Sequence, residues 1–253
     1  MYFNYDNAEF RYRPFPIALV RPILPEDQYA RFVAEYPPLK LFASYGELGK
    51  QGVKYTLSER ENAGEYDRFV QSSPLWRSFH GWIKSDDFIY QALAMLRQRG
   101  IDLGYERISR GKRMVRQLRA AFGGRWSHRF DRLAARFEFS ALPADGGEVV
   151  PHTDAPSKIV TMAVSMAAPG EWSPEFGGGL DINRPKDEHL DFNQMNRLAG
   201  FDDMEVVDTF DFRENQAVIF VKTFNSWHSD RPMSGKGSTA LRRTLTIVIE
   251  AGA

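Results

Sequence analysis

The carboxyl-terminal half of the chain is patterned as a series of short β-strands. Leu245, Ile247 and Ile249 recur at every second position, and Ala135–Leu142 alternates small or apolar residues with polar ones. A period of two is typical of a strand that buries one face. Short strands separated by Gly- and Pro-containing turns predict a β-sandwich or barrel. For Lys158–Met166 the pattern also allows a buried helix. The predicted strands are Ala135–Leu142, Lys158–Met166, Met204–Phe212, Gln216–Val221 and Arg242–Glu250, and Gly177–Ile182 is predicted to be a turn that leads into a further strand.

The amino-terminal half carries a helical pattern. Residues 24–36 predict a helix that begins near Pro25 and ends at the prolines 37–38. Ser73–Pro74 is typical of a helix start, with serine as the cap and proline at the first helical position. Asp87–Arg99 predicts a further helix. Aromatic and aliphatic residues follow Ser73–Pro74 at helical spacing, and we interpret them as core packing rather than a ligand site. They are Trp76, Phe79, Trp82 and Ile83.

Two long polar stretches interrupt this pattern. Residues 40–73 contain glycines and are expected to form a strand and loops over the core. Residues 183–203 form an insertion before the strand near Met204. Long loops in compact domains are commonly functional, so we expect a mobile segment near the mouth of a pocket that orders with substrate. His189 lies in this insertion without a second ligand at metal-binding spacing, and we expect it to be exposed.

Composition narrows the function classes. With 253 residues the chain is long enough for one domain with a sizeable core. Its 33 basic and 33 acidic residues balance, so the overall charge favours neither nucleic acid nor a membrane surface. The absence of cysteine excludes disulfides and thiolate metal ligands. No secretory signal and no run of about twenty apolar residues is visible, so we expect a cytoplasmic protein.

One local charge bias departs from this balance. Between Arg107 and Arg136 there are ten basic residues against one acidic residue, Asp131. An anionic partner, such as a phosphate-bearing substrate or a lipid surface, is one interpretation. We favour the other, a solvated face, because charge runs commonly lie on solvated surfaces. Trp126 and His128 lie within this stretch, and one tryptophan among the arginines is too little for a nucleic-acid stacking platform.

A candidate metal site follows from three residues. His152 and Asp154 are two positions apart, so on an extended segment both side chains fall on one face. With His228 they form the two-imidazole, one-carboxylate set that holds Fe(II) on one side and leaves other positions open. Separately, His-x-Asp could be a surface loop and His228 a structural histidine. The ligands bind as neutral imidazole and ionised carboxylate, so the site should weaken in acid. We also expect His228 to donate its other ring N–H to a nearby carbonyl or side chain.

A cation for an anionic cosubstrate lies beyond the second histidine. Arg242 and Arg243 point to opposite faces if their segment is a strand. Arg242 shares its parity with Thr244 and Thr246, whereas Arg243 shares the apolar parity of Leu245. Because a cavity for a dicarboxylate needs a cation and hydroxyl donors, we expect the Arg242 face to line the cavity. We expect Arg243 on the outer face, paired with an acidic residue or solvated.

Several motifs together resemble the Fe(II)- and 2-oxoglutarate-dependent dioxygenases, and the prolyl-4-hydroxylase-like branch most closely. These motifs are His152-Thr-Asp154, Gly177-Gly-Gly-Leu180, Trp227-His228 and Arg242-Arg-Thr-Leu-Thr246. The resemblance covers residues 135–250, and a less specific similarity extends it from residue 14 onward. The resemblance implies a mainly β fold with helical elaboration, a double-stranded β-helix (jelly-roll) core packed by N-terminal helices. We expect residues 1–253 to form a single domain, with 1–134 mostly helical and 135–253 the catalytic jelly roll.

The resemblance also implies an activity. It implies that Fe(II) is held by His152, Asp154 and His228, and that 2-oxoglutarate is bound by the Arg242, Thr244 and Thr246 face. Oxidative decarboxylation to succinate and CO2 would accompany hydroxylation of a second substrate by O2. That substrate is open among a small molecule, a glycan and a peptide. The alternative is a non-catalytic metal- or sugar-binding jelly roll.

One position departs from the prolyl hydroxylases. They often carry a tyrosine ten residues before the first histidine, where it helps to bind 2-oxoglutarate. This chain has Leu142 there. We therefore expect a cosubstrate pocket that differs in detail, and a prolyl substrate does not follow from the resemblance.

Overall fold

The computed structural model describes residues 2–45, 53–105 and 133–251. Its amino-terminal part combines helices with strands. The helices are α1 (Glu26–Ala34), α2 (Ala63–Ser72), α3 (Pro74–Ile83) and α4 (Asp86–Gln98). The strands are β1 (Glu9–Arg11), β2 (Ile17–Val20), β3 (Ala43–Tyr45) and β4 (Lys54–Ser58). The predicted helices correspond to α1, α3 and α4, while α2 was not predicted.

Helix α3 begins as its sequence indicates. The Ser73 hydroxyl accepts a hydrogen bond from the backbone N–H of Trp76, and Pro74 occupies the first turn. The aromatic stripe is core, as predicted: Trp76 packs edge-on against Phe139 with ring centroids 4.7 Å apart. Phe79 lies 5.5 Å from Phe137 in the same way. Large aromatic surfaces buried in this manner fix the helices to the sheet.

The carboxyl-terminal part supplies eight strands, β5 to β12. They form two antiparallel sheets, and the helix alternative for Lys158–Met166 was wrong. The strands are β5 (Leu133–Pro143), β6 (Val149–His152), β7 (Lys158–Ser165), β8 (Leu180–Pro185), β9 (Met204–Phe210), β10 (Ala217–Val221), β11 (His228–Asp230) and β12 (Leu241–Ala251).

The order of these strands is that of a jelly roll. The larger sheet runs β1-β2-β10-β7-β12-β5-β4-β3, and the smaller runs β6-β11-β8-β9. Of the eight carboxyl-terminal strands, four lie in each sheet, and the chain crosses between the sheets after β5, β6, β7, β9, β10 and β11. The amino-terminal strands extend the larger sheet at both edges. The predicted fold class is therefore confirmed: mainly β, with a jelly-roll core packed by helices.

The two faces of β12 separate the core from the cavity. Leu245, Ile247 and Ile249 are buried in the same cluster as Trp76 and Phe79 of α3. Alternate residues point into the space between the two sheets. No helix among the described residues has both the length and the apolar character needed to cross a bilayer.

The structure bears on two expectations about polar segments: the solvated face predicted for residues 107–136, and the exposure of His189. Nine of the ten basic residues of the 107–136 stretch lie outside the described residues, as do Trp126 and His128. The tenth, Arg136, is 6% exposed and lies within 3.5 Å of both Glu138 and Glu250, so the solvated interpretation was wrong there. His189 is exposed, as expected.

Candidate metal centre and the cavity behind it

The predicted ligands meet at one end of the barrel. His152 closes β6 and His228 opens β11, and the two residues are direct partners in the antiparallel pair. Asp154 follows two positions after His152. One donor atom from each of the three residues lies within 4.8 Å of the others, and the two imidazole centroids are 4.2 Å apart. Strand pairing thus brings together two segments that are distant in the sequence.

Both histidines present the same ring nitrogen to this centre. His152 Nδ1 donates to the carbonyl of Val150 at 3.0 Å, and His228 Nδ1 donates to the carbonyl of Ser226 at 2.9 Å. Because a carbonyl can only accept, each Nδ1 carries the proton and each Nε2 keeps a free lone pair. The expected backbone partner of His228 is confirmed. Nε2 of His152 lies 3.6 Å from Asp154 Oδ1, so the nitrogen with the free lone pair lies among the predicted metal ligands.

The protonation states suit metal binding. Burial, together with the neighbouring His152, lowers the pKa of His228 to about 3, so its imidazole is neutral at pH 7. Burial alone would raise the pKa of Asp154. The positive charge of the neighbouring Lys158 acts against burial, and the pKa of this carboxyl is held well below its usual value. Neutral imidazole and ionised carboxylate are the forms that coordinate a divalent ion.

A buried hydroxyl network ties the two ligand segments together. The carbonyl of Thr153 accepts from Ser226 Oγ at 3.2 Å, and both residues are completely buried. The Thr153 hydroxyl donates to the carbonyl of Asn193 at 2.7 Å. Asp154 has φ +72°, the left-handed region that a non-glycine residue seldom adopts. The hydrogen bonds of the neighbouring Thr153 hold the Asp154 backbone in this conformation, so the network fixes the direction of the carboxylate.

Part of the 183–203 insertion contributes to this network. Residues 183–185 belong to β8, so the irregular segment is 186–203. Asn193 is 2% exposed, and its backbone N–H donates to the carbonyl of Phe224. The backbone N–H of Ala199 donates to the carbonyl of Pro151. The insertion therefore lies beside the metal-binding residues, and its ordering with substrate stays a prediction.

Asp154 has two further partners that the sequence analysis missed. Thr161 Oγ1 donates to Asp154 Oδ2 at 2.8 Å, and the Lys158 ammonium group contacts Oδ1. Lys158 lies four residues after Asp154 at the start of β7. The donor set fits a divalent ion. Such an ion would take the oxygen that Lys158 holds, so metal binding requires this ammonium group to move or to share the oxygen.

A cavity of about 100 Å³ runs inward from the ligands. Arg242, Thr244 and Thr246 line it, so the strand parity of the prediction is confirmed. Arg243 faces outward, contacts Glu171 and lies 5.2 Å from the Tyr36 ring. Leu142, at the position of the missing tyrosine, also lines the cavity. The hydroxyls of this wall come from β5 and β12, where Ser140 and Thr244 are hydrogen-bonded at 2.9 Å.

Arg242 is held from three sides. Its side chain is 6% exposed. Its Nε donates to the carbonyl of Gly178, and its guanidinium group lies 4.9 Å from the Phe212 ring centre. Gly178 has φ +79°, and a Cβ there would lie 2.9 Å from Trp172 and 3.1 Å from Arg242. A glycine is therefore required for the turn to reach the arginine.

The third partner of Arg242 is a carboxylate that the sequence analysis did not single out. Arg242 Nη2 donates to Asp230 Oδ1 at 2.9 Å, and both side chains are at most 10% exposed. Asp230 lies two residues after His228 on β11. Strand parity was the available signal, because residues two apart share a face.

A larger cavity lies behind this arginine. It has a volume of about 720 Å³ and is lined by the Gly177–Gly179 turn and by Phe212, which both contact Arg242. Trp172 and Phe176 form an aromatic wall. Size alone does not identify a site. The smaller cavity holds the metal-ligand set, and we place the chemistry there.

Comparisons with known proteins add similarities of fold. No family model matches the chain, and no curated protein does. Among solved structures, a prolyl hydroxylase from Trichoplax adhaerens is 12% identical with a TM-score of 0.46, covering 93% of this chain and 83% of its own. The 2-oxoglutarate-dependent epimerase SnoN is 13% identical with a TM-score of 0.49, covering 93% and 78%.

A third similar structure is HygX from Streptomyces hygroscopicus, which has nickel and 2-oxoglutarate bound. It is 10% identical with a TM-score of 0.46, and the match covers 98% of this chain and 84% of HygX.

Proposed function

We propose that this protein is an Fe(II)- and 2-oxoglutarate-dependent dioxygenase that hydroxylates a second substrate. The observation that carries the proposal is one cavity with two complementary ends. Three metal donors of the His152, Asp154, His228 set converge within 4.8 Å at one end. Arg242 lies at the other, with the hydroxyls of Thr244 and Thr246 between them. A purely structural metal site has no need of the buried arginine.

Each end would have its own task. The Nε2 atoms of His152 and His228 and a carboxylate oxygen of Asp154 would hold Fe(II) and leave open positions toward the cavity. Arg242 would bind the distal carboxylate of 2-oxoglutarate, since a guanidinium group suits a carboxylate. Bound together, Fe(II) and 2-oxoglutarate supply O2 activation, with decarboxylation of 2-oxoglutarate to succinate and CO2.

The residues of this chain set the conditions for that chemistry. Val150 and Ser226 fix the histidine tautomers through their carbonyls, so Nε2 is available without a proton having to leave. Asp154 stays ionised and removes one positive charge from the metal centre. Leu142 is 1% exposed and keeps one wall apolar where prolyl hydroxylases often use a tyrosine. The hydroxylated substrate therefore need not be a prolyl peptide, and we keep small molecules, glycans and peptides as classes.

Succinate formation tests the proposal. The purified protein with Fe(II), ascorbate and 2-oxoglutarate should release succinate in air and should not release it under argon. Candidate substrates from the three classes should raise that rate. His152→Ala is the matched variant, because it removes one ligand and leaves Arg242 in place. A protein that binds metal and yields no succinate with any substrate class would favour the non-catalytic jelly roll.

A further inference from the structure

We propose that Asp230 competes with the distal carboxylate of 2-oxoglutarate for Arg242 and thereby lowers the affinity of the protein for this cosubstrate. The inference rests on the proposed function. It concerns a residue two positions after the second metal ligand, on the same face of β11 and lining the same cavity. Asp230 therefore meets the cosubstrate in the cavity itself.

Two of the five guanidinium N–H groups of Arg242 donate to the protein, and one of them is taken by Asp230. Nη2 donates to Asp230 Oδ1 at 2.9 Å, and Nε donates to the carbonyl of Gly178. Among the described residues, Nη1 is the guanidinium nitrogen for which no protein hydrogen bond is found. A carboxylate is recognised best by two parallel N–H donors. A carboxylate that contacts Nη1 and Nη2 in parallel would share Nη2 with Asp230 and would lie beside that carboxylate.

Charge points in the same direction. Arg242 and Asp230 form a buried pair with no net charge, so the anionic ligand meets no unpaired cation. It also brings a second carboxylate next to Asp230, and like charges in a desolvated site repel strongly. Both effects weaken cosubstrate binding relative to an unpaired arginine.

The opposite reading is that Asp230 positions Arg242 and thereby strengthens binding. Two other contacts already position it. The Gly178 carbonyl fixes Nε, and Phe212 packs against the guanidinium group at 4.9 Å. Orientation therefore does not depend on Asp230, and its charge is its main contribution. The two readings predict opposite signs for the same substitution.

Asp230→Asn separates them, because it keeps the shape and the accepting oxygen and removes the charge. We expect the Mn(II)-loaded variant to bind 2-oxoglutarate at least about tenfold more tightly than the wild type. Calorimetry without oxygen measures this with no turnover. Asp181→Asn is the matched control: Asp181 is also buried and pairs with Arg231 at 2.5 Å, but it does not line the cavity. Its affinity for 2-oxoglutarate should equal that of the wild type.

Mn(II) affinity and the unfolding midpoint, measured on each variant, verify that the site is intact. Asp230→Ala provides a second test if the asparagine variant does not fold, with the same expected direction. Equal or weaker 2-oxoglutarate binding in a folded variant overturns the competition while leaving the proposed function in place. Binding of Mn(II) with no 2-oxoglutarate binding in the wild type and both Asp230 variants overturns the proposed function, and the competition with it.

Discussion

The metal end of the cavity carries the negative charge of Asp154, whereas the arginine end carries the positive charge of Arg242. The protein pairs both charges internally, Asp154 with Lys158 and Arg242 with Asp230. Neither end therefore has an uncompensated buried charge, which would be costly without its ligand. A metal ion must therefore compete with Lys158 for Asp154, and an anionic ligand must compete with Asp230 for Arg242.

The two ends differ in how their residues are held. The metal ligands come from two segments joined through Thr153 and Ser226, with Asn193 of the insertion as a third support. Arg242 lies within the long strand β12 and needs only the Gly178 turn and Phe212 beside it. We infer that geometry at the metal end depends on many contacts, whereas the arginine end depends on strand register and charge.

The largest expected effect is at the metal end. His152→Ala and Asp154→Ala should each abolish Mn(II) and Fe(II) binding, because two remaining ligands cannot hold a divalent ion in this open site. The fold should change little, since the core packs on the opposite face of the larger sheet. Metal titration with a paired unfolding curve measures both. His189→Ala, which removes an exposed imidazole, is the control, and full metal occupancy in His152→Ala would rule out this ligand set.

The sequence identified the pair His152 and Asp154 and the inward face of β12 because these signals are local. Two ligands two residues apart, and a strand whose polar and apolar residues alternate, require no knowledge of tertiary contacts. Lys158 and Asp230 were missed for the converse reason. The role of Asp230 depends on Arg242, its partner across the barrel. The role of Lys158 depends on the point at which strand β7 begins, which is Lys158 itself. Strand β2 was missed because a strand of four residues takes its stability from packing rather than from pattern. Helix α2 is as long as α3, but it has no side-chain cap and contains Gly64, so its sequence carries no start signal.

The next effect is at the arginine end. Arg242→Ala should raise the 2-oxoglutarate concentration needed for succinate formation by orders of magnitude, since loss of a buried charge partner costs about 2–5 kcal/mol. Arg243→Ala is the adjacent control, because its side chain contacts Glu171 on the outer face. It should leave that concentration nearly unchanged. The reverse ranking in a titration of succinate formation would contradict the assigned cavity face.

A smaller effect tests the network that distinguishes the metal end. Thr153→Val keeps the shape and removes the hydroxyl that donates to the Asn193 carbonyl. Outer-shell changes typically weaken metal binding by about 10–100-fold, and we expect the lower part of that range. Thr209→Val is the control, because its hydroxyl donates to Asp181 away from the ligands. Equal Mn(II) affinity in the two variants would show that the network does not orient Asp154.

The last expected effect is on the folding stability of the metal-free protein, which should depend on pH. Burial first, and His152 second, lower the pKa of His228 to about 3, below the 6.5 of an unfolded chain. The unfolded state thus takes up a proton below pH 6.5 that the folded state refuses until about pH 3. Stability from this group is present above pH 6.5 and is lost as the pH falls toward 3, by at most about tenfold in the folding equilibrium for each pH unit.

Unfolding by urea with a chelator present, between pH 6.5 and 5, isolates this histidine from most carboxylates. His228→Asn should flatten the slope without abolishing it, because burial also lowers the pKa of His80. His80→Asn should remove only the remaining, smaller part. An unchanged slope in His228→Asn would mean that the buried imidazole is protonated in the folded protein, and then Nε2 would not be free for a metal.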